Sequence, residues 1–328
     1  MQQPKARLTA LGSYLPKQIL TNQDLEQRVE TSDEWIVSRT GIRERRIADV
    51  DEFPSDMGAK AAERALKSIE MKADAIDLIL VATMSPDYIT PSTANLIQAK
   101  IQATHAAAMD VQAACSGFLY ILSIAKAFIE SGTYRNILIV ATEKMSAFMD
   151  YTDRSTCVLF GDGAAAAIVS AEGDGFLIDA ICLGSDGALA DLVKIPGGGA
   201  RLPASQETIA QRKHYFQMSG NEVFKHAVRH MTAAARQCLQ TAGLKESDIL
   251  WLVPHQANKR IIDMIAKNFG LSEEKVYLTL DKYGNTSASS IAIALHELSL
   301  KHPLKKGNHL LLIAFGGGVT WGAAILTK

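Results

Sequence analysis

The chain has 328 residues, enough for one large domain or two of ordinary size and for a sizeable buried core. Apolar residues make up 48% and charged residues 21%, which excludes a disordered chain, a collagen-like repeat and a disulfide miniprotein. Thirty-four basic residues against 35 acidic ones leave a net charge of −1; nothing in that balance favours nucleic acid as a partner, although local basic patches stay open.

In chain order, Lys5 and Arg7 are followed by apolar residues that Gly12 and Pro16 interrupt, so the start does not read as a signal peptide. Asp77 to Ala82 reads as a buried strand, and a long helical pattern runs from about Ser116 to Glu130. Ile137 to Ala141 is a second buried strand, and Ala164 to Val169 follows a Gly-Asp-Gly turn. Leu78 to Met84 and Ile137 to Ala141 are far shorter than a membrane span, so no membrane is expected. Further on, Leu250 to Val253, Leu310 to Ala314 and Trp321 to Leu326 repeat the strand pattern, with a helix over Ile291 to Leu300. Such alternation predicts an α/β architecture with sheets buried on both faces.

The second half weakly repeats the first. Leu250 to Val253 answers Leu78 to Val81, Leu310 to Ala314 answers Ile137 to Ala141, and Trp321 to Leu326 answers Gly163 to Ile168. Any one match fits any buried strand. Three in the same order predict a duplicated unit with a seam near 171–175, dividing the chain into halves 1–172 and 173–328.

Cys115, Cys157, Cys182 and Cys238 are far apart and form no CxxC pair, so neither zinc nor a disulfide framework is expected, and a reducing cytoplasm is the simpler compartment. Cys115 stands apart from the others. A strand-like approach ends in small residues and a helix follows, which places the sulfur near a helix start, where the dipole lowers a thiol's pKa. A nucleophile and an inert buried thiol both remain open. His255 follows Leu250-Trp251-Leu252-Val253-Pro254, just beyond a buried strand, where open α/β sheets bind ligands. A structural histidine is the alternative. Asn285, in Gly284-Asn285-Thr286-Ser287, fits ordinary turn chemistry as well as a site at a helix start. Phe315-Gly316-Gly317-Gly318 follows a buried strand, and such glycines let backbone N–H groups approach a ligand oxygen. His226 and His230 stand four apart, but Ala227 follows where the zinc-protease motif needs glutamate, so the pair reads as an ordinary helix face and no metal is expected.

Taken together these motifs resemble the β-ketoacyl-acyl-carrier-protein synthase III family, initiating condensing enzymes of bacterial type II fatty-acid synthesis. The resemblance runs from about Gly12 to Trp321 on Thr31-Ser32-Asp33-Glu34-Trp35-Ile36, Arg39-Thr40-Gly41-Ile42-Arg43-Glu44-Arg45, Cys115-Ser116-Gly117-Phe118, Pro254-His255-Gln256-Ala257-Asn258, Gly284-Asn285-Thr286-Ser287 and Phe315-Gly316-Gly317-Gly318. It implies the thiolase fold, two similar halves in five α/β/α/β/α layers, and a homodimer. It implies that Cys115 takes an acyl group from an acyl-CoA primer, acetyl-CoA foremost. His255 and Asn285 then stabilise the enolate formed as malonyl-acyl-carrier protein loses CO₂. The product is a 3-oxoacyl-acyl-carrier protein, and no metal or redox cofactor takes part. The resemblance assigns an oxyanion donor to Gly317 beside the Cys115 N–H, and sets Phe315 against the donor pair. It assigns coenzyme A contacts to Trp35, Arg39, Arg154, Gly220, Phe224 and Asn258. Lys225 and Arg260 match positions that meet an acidic carrier protein, with a solvated face the alternative. Thr90 matches a position bounding the acyl pocket across the dimer, with Tyr88 or Ile89 the alternative occupants.

Three kinds of rival reading compete with this one. A papain-like hydrolase shares the order Cys, His, Asn, but over a hundred residues precede Cys115, and Phe118 stands where that family has Trp or Tyr. Hydroxymethylglutaryl-CoA synthase needs a glutamate near Thr83-Met84-Ser85, and none occurs from Met71 to Phe128; plant-type polyketide synthases share little beyond the triad. A non-catalytic acyl-CoA-binding protein would leave the complete triad without a task.

Overall fold

In the computed structural model, residues 4–328 are described. The chain runs through β1 (Arg7–Tyr14), β2 (Gln18–Thr21), α1 (Asn22–Glu26), α2 (Asp33–Thr40), β3 (Glu44–Ile47), α3 (Pro54–Ser68), β4 (Leu78–Ala82), α4 (Thr93–Lys100), β5 (Ala107–Val111), α5 (Gly117–Glu130), β6 (Asn136–Glu143) and β7 (Gly163–Ser170). It continues through β8 (Phe176–Ser185), β9 (Val193–Lys194), α6 (Gln206–Ala210), β10 (Gln217–Met218), α7 (Gly220–Ala242), β11 (Ile249–Pro254), α8 (Lys259–Asn268), α9 (Leu280–Tyr283), α10 (Ser290–Lys301), β12 (His309–Gly316) and β13 (Thr320–Thr327). The strands and both helices expected from the sequence lie at those places, with ends moved by a residue or two.

The main ladder has the order β11-β12-β13-β8-β1-β7-β6-β4-β5. Counted outward from the β1–β8 contact, β7 and β13 come next, then β6 and β12, then β4 and β11. The strand directions match on the two sides: antiparallel, antiparallel, then parallel. The place of β5 is filled on the other side by a short parallel bridge between Leu252 and Val276.

Alternation of side chains along each strand explains why the strands read as unbroken apolar runs. Leu78, Leu80 and Ala82 face an inner core with α5 and α10, while Ile79 and Val81 face an outer core with α3 and α4. On the other side Leu310, Leu312 and Ala314 join the same inner core, and Leu311, Ile313 and Phe315 face α7 and α8. The layers are therefore helix, sheet, helix, sheet, helix, as expected of the thiolase fold. A further apolar cluster, with Ile36, Ile42, Met145, Cys157, Val158, Phe160 and Phe216, caps the frame. Among the described residues no helix is long and apolar enough to cross a membrane.

Candidate active site

One cavity of about 790 Å³ opens beside that cap. Its mouth is exposed and carries Arg39, Arg154, Lys225 and Arg260, four cations against the single carboxylate of Glu222. Its floor holds Cys115, His255, Asn285, Phe315, Gly316 and Gly317, and between the two lie apolar walls from Val193, Phe216, Met218 and Met231. Volume and lining suit a long ligand with an anionic head and a slender arm.

Cys115 owes its position to a strained turn. Ala114 takes a left-handed φ of +46°, and α5 begins at Gly117. Gly117 lies so close to β4 that a Cβ there would come within 2.8 Å of the Ala82 methyl. The Thr320 hydroxyl donates to the Ala113 carbonyl at 2.9 Å and ties the turn to β13. A Cβ on Gly316 would lie 2.8 Å from the Cys115 nitrogen, so only glycine lets that loop close over the helix start. The sulfur is partly open to the cavity and 3.5 Å from the Ser287 hydroxyl. The sequence predicts a thiol lowered by the helix start; in the structure a stronger effect opposes it. Burial pushes the Cys115 thiol up to about 12, the Ser287 hydrogen bond eases it, and the nearby Glu143 carboxyl raises it further. Desolvation thus works against the helix start at this sulfur.

His255 sits at the end of β11, 2% exposed, and burial lowers its imidazole to about 3, so it is neutral at ordinary pH. Its Nδ1 lies 2.7 Å from the Ser290 hydroxyl, which also accepts from the Gln256 N–H at 3.3 Å. Nδ1 is the acceptor paired with the Ser290 hydroxyl among the described residues, which assigns the imidazole proton to Nε2. Asn285 Oδ1 accepts from the Ser287 N–H at 2.8 Å, so the Nδ2 end is left as a donor. Gly284 before it takes φ +63°, and a Cβ there would meet the Leu159 carbonyl at 2.9 Å. Asn285 is held on the 158–161 segment by reciprocal backbone bonds with Leu159 and Gly161. Beneath them lies Arg45, wholly buried, donating to the carbonyls of Leu20 and Val158 and to Asn22 Oδ1. Burial lowers its guanidinium to about 10.

At the mouth, Arg154 lies over the Trp35 ring at 5.1 Å and donates to the Glu30 carbonyl at 3.0 Å. An aromatic base between them needs two stacking distances of about 3.5 Å, so the pair must part by roughly 2 Å to admit one. Asn258 lines the cavity, but its amide is engaged: Nδ2 donates to the Arg39 carbonyl and Oδ1 caps α8 at the Arg260 N–H. Lys225 pairs with Glu222 at 2.8 Å, and the Arg260 guanidinium lies 5.7 Å from the Phe224 ring centre. Gly220 lies at the start of α7 on the exposed rim. Thr90 is the exception: it is exposed, beside Tyr88 and Ile89, and does not line the cavity of its own chain. Arg229 donates to His226 Nδ1 at 3.2 Å and His230 Nε2 at 2.9 Å, and His230 stacks on Trp321.

Three residues escape a reading from sequence: Glu143, Ser287 and Ser290. Glu143 accepts from Thr83, Met84 and Ser85, the strand end at which no local glutamate occurs. It reaches there from β6, parallel to β4 and in register with it, so absence from Met71 to Phe128 does not by itself separate the thiolase-fold rivals. Its legible signal is a carboxylate closing a strand whose middle, Ile137 to Ala141, is apolar. Ser287 and Ser290 carry no signal beyond turn composition.

The layered frame and the cavity at its strand ends are those of the thiolase-fold enzymes. Comparison narrows the class. The family model described as 3-oxoacyl-acyl-carrier-protein (ACP) synthase III matches residues 109–187, and its C-terminal counterpart matches 239–328. A β-ketoacyl-acyl-carrier-protein synthase III of Chlamydia caviae is 57% identical over 325 residues, covering 99% of this chain and 97% of the relative. The crystal structure of 3-oxoacyl-acyl-carrier-protein synthase III from Aquifex aeolicus superposes with a TM-score of 0.91 at 44% identity, covering 98% of this chain and 100% of the other. The priming β-ketosynthase of the R1128 polyketide pathway gives 0.91 at 36%, covering 99% and 96%. The chain belongs to the β-ketoacyl-acyl-carrier-protein synthase III family.

Proposed function

We infer that this chain joins an acyl-CoA primer, with acetyl-CoA the expected one, to malonyl-acyl-carrier protein by decarboxylative Claisen condensation. The products are 3-oxoacyl-acyl-carrier protein, coenzyme A and CO₂, and the reaction initiates fatty-acid synthesis. The observation that carries this is one cavity with a thiol and two neutral donors on its floor and four cations at its mouth.

The Cys115 sulfur attacks the primer's thioester carbonyl, coenzyme A leaves, and an acyl-cysteine remains. The oxyanion of that step is held by the N–H groups of Cys115 and Gly317. When malonyl thioester replaces coenzyme A, His255 Nε2–H and Asn285 Nδ2–H donate to its carbonyl oxygen. That oxygen gains charge as CO₂ departs, so the donors favour the enolate over the ground state. A neutral imidazole suits this task, because it donates without surrendering its proton. The enolate carbon attacks the acyl-cysteine and the sulfur leaves. Each step is nucleophilic or electrostatic, so the reading requires no metal or redox cofactor.

Trp35, Arg154, Arg39, Gly220, Phe224 and Asn258 form the coenzyme A path in this reading, with Phe315 packed by the donors. Lys225 and Arg260 meet the acidic carrier protein. A homodimer is supported by β5, which ends the described sheet and carries the exposed Met109, and by the exposed Tyr88 and Ile89 on the loop after β4. In such a dimer Thr90 bounds the acyl pocket of the other copy. The matched strand orders support two like halves, 1–172 and 173–328, and four free thiols support a reducing cytoplasm.

The test is mass spectrometry of the protein after exposure to acetyl-, butyryl- and octanoyl-CoA, alone and then with malonyl-acyl-carrier protein. One acyl group on Cys115, discharged with release of CO₂, is the expected result. Cys115→Ser should abolish loading; acylation of that variant at another cysteine would overturn the assignment.

A further inference from the structure

We propose that Glu143, acting through the Ser287 hydroxyl, takes the Cys115 proton when the cysteine is acylated and returns it when the cysteine is released. The inference rests on the function proposed above and names how that site handles its proton.

Glu143 ends β6 beneath the Cys115 turn, wholly buried and absent from the cavity wall. Its Oε2 accepts from the Ser85 hydroxyl at 2.6 Å, the Met84 N–H at 3.1 Å and the Thr83 hydroxyl at 3.3 Å. Its Oε1 accepts from the Ser287 hydroxyl at 3.0 Å. Because Ser287 donates there, its oxygen offers a lone pair to Cys115 Sγ at 3.5 Å. The donors thus run one way, from sulfur to serine to carboxylate. Ser287 is held in this pose by a left-handed φ of +51° and by its own N–H, which donates to Asn285.

No cation pairs with this carboxyl among the described residues. The neighbouring Lys144 turns its amine to the carbonyls of Asp49, Val50 and Glu52. Asp87, on the loop beyond β4, is taken up by Ser55. Cys115 is the titratable group that faces Glu143, and His255 turns its Nδ1 away to Ser290. A buried carboxyl without a cation sheds its charge readily. Burial raises Glu143 to about 7 against the donors that lower it, so it exchanges a proton at little cost near neutrality.

The imidazole is closed to this task. Its Nε2 carries a proton and its Nδ1 is bonded to Ser290, so it has no free lone pair for the thiol. The relay supplies one, and its balance closes over the cycle. In acylation the S–H bond breaks as the S–C bond forms. The thiol proton passes to Ser287 Oγ, and the Ser287 proton passes to Glu143 Oε1. Coenzyme A leaves with the electron pair of its C–S bond and takes a proton from solvent. In condensation the enolate carbon displaces the sulfur, whose electron pair recovers a proton through Ser287 from Glu143. The net uptake is one solvent proton per turnover, which the loss of CO₂ from a carboxylate demands.

The experiment is quench-flow mass spectrometry of Cys115 acylation by acetyl-CoA from pH 5.5 to 9, on wild type, Glu143→Gln, Glu143→Asp and Ser287→Ala. Wild-type acylation should rise with pH through about 7, as Glu143 loses its proton. Glu143→Gln and Ser287→Ala should slow acylation about 100-fold and abolish that inflection, and Glu143→Asp should restore part of both. Serine and alanine are both ordinary L-residues outside the group favoured at a left-handed φ, so Ser287→Ala keeps a Cβ there and removes the hydroxyl. Wild-type rates and an unmoved inflection in both variants would overturn the relay. Should the variants not fold, the proton inventory of wild-type acylation in H₂O/D₂O mixtures decides. A curved inventory marks two protons moving together; a linear one overturns the proposal. If no acyl-CoA loads wild-type Cys115, the proposed function itself falls and takes this inference with it.

Discussion

At Ala114 the backbone enters the left-handed region at φ +46°, and at Ser287 it does so at +51°, each three residues before a helix buried between the sheets. The two turns share a backbone device and differ in what surrounds them. Around Cys115 the neighbours are small, the side chain is partly open to the cavity, and the turn is tied to β13 by a single side-chain bond from Thr320. Around Asn285 every residue from Asn285 to Ser290 is buried, and the side chains bond inward. Ser287 bonds Asn285 and Glu143, Ser289 bonds the Thr286 carbonyl, and Ser290 bonds His255. One turn presents a reactive atom, while the other fixes the orientation of donors. The nucleophile needs an open approach to its carbonyl, whereas enolate stabilisation depends on donors fixed before charge develops.

The sharpest way to break this comparison is to remove the donors. His255→Ala and Asn285→Ala should each slow malonyl decarboxylation by about 10²- to 10³-fold while slowing Cys115 acylation much less. Separate assays of CO₂ release and acyl-enzyme formation measure the two. Equal loss in both would make the histidine the thiol's base. Because burial holds His255 neutral, wild-type decarboxylation should also show no inflection near the ordinary histidine value of about 6.5.

Smaller effects sharpen the contrast between floor and mouth. Trp35→Ala should raise the KM for acetyl-CoA, since stacking on a base contributes about 1–3 kcal/mol, while kcat stays near wild type. A kcat loss with unchanged KM would place Trp35 outside the binding path.

The Asn285 turn has an anchor that the Cys115 turn lacks. Glu297 on α10 accepts from Lys282, Lys301 and the hydroxyls of Tyr283 and Tyr277, joining the helix to the segment just before Gly284. On α5 the corresponding acid, Glu130, pairs among the described residues within its own helix, with Lys126. Burial pushes Glu297 up, but the lysines and Tyr283 outweigh it and hold it at about 2. A carboxylate depressed on folding stabilises above its unfolded value of about 4.5, and that gain is lost as pH falls toward about 2. Glu297→Gln should therefore cost on the order of 1 kcal/mol at pH 7, allowing for screening of the exposed lysines, and nothing near pH 2. Denaturant melts at several pH values check it; a pH-independent difference would refute the ionic account.

The smallest effect concerns Thr90. A threonine leaves space for methylenes worth about 0.8 kcal/mol each when buried, so Thr90→Phe should reduce use of butyryl- and octanoyl-CoA relative to acetyl-CoA. Because Thr90 lies outside its own cavity, the effect should vanish in protein diluted to monomer. Identical chain-length profiles would remove Thr90 from the pocket wall.

Much of this was legible along the chain. Strands buried on both faces must be apolar at every position, so β4, β6, β7 and β11 to β13 announced themselves, and the helices α5 and α10 followed from composition. Cys115, His255 and Asn285 could be picked out because each lies beside a strand end or helix start, where short motifs carry the signal. The thiol's state was not legible. A helix start argues for a lowered value, and only the packing of α5, Ser287 and Glu143 around the sulfur reveals the burial that opposes it.

Sequence by itself determined the α/β alternation, the weak strand repeat and the candidacy of three polar residues, because periodicity and turn chemistry act over a few neighbouring residues; the layering and the roles of the three came with the family resemblance. Tertiary structure alone decided which end of each side chain is free. Parallel registry of β6 with β4 delivers Glu143 to the strand end at Thr83, 60 residues away in sequence, and the Ser290 contact selects the tautomer of His255 across 35 residues. Hydrogen-bond partners and desolvation are set by what lies near in space, and no local pattern encodes that.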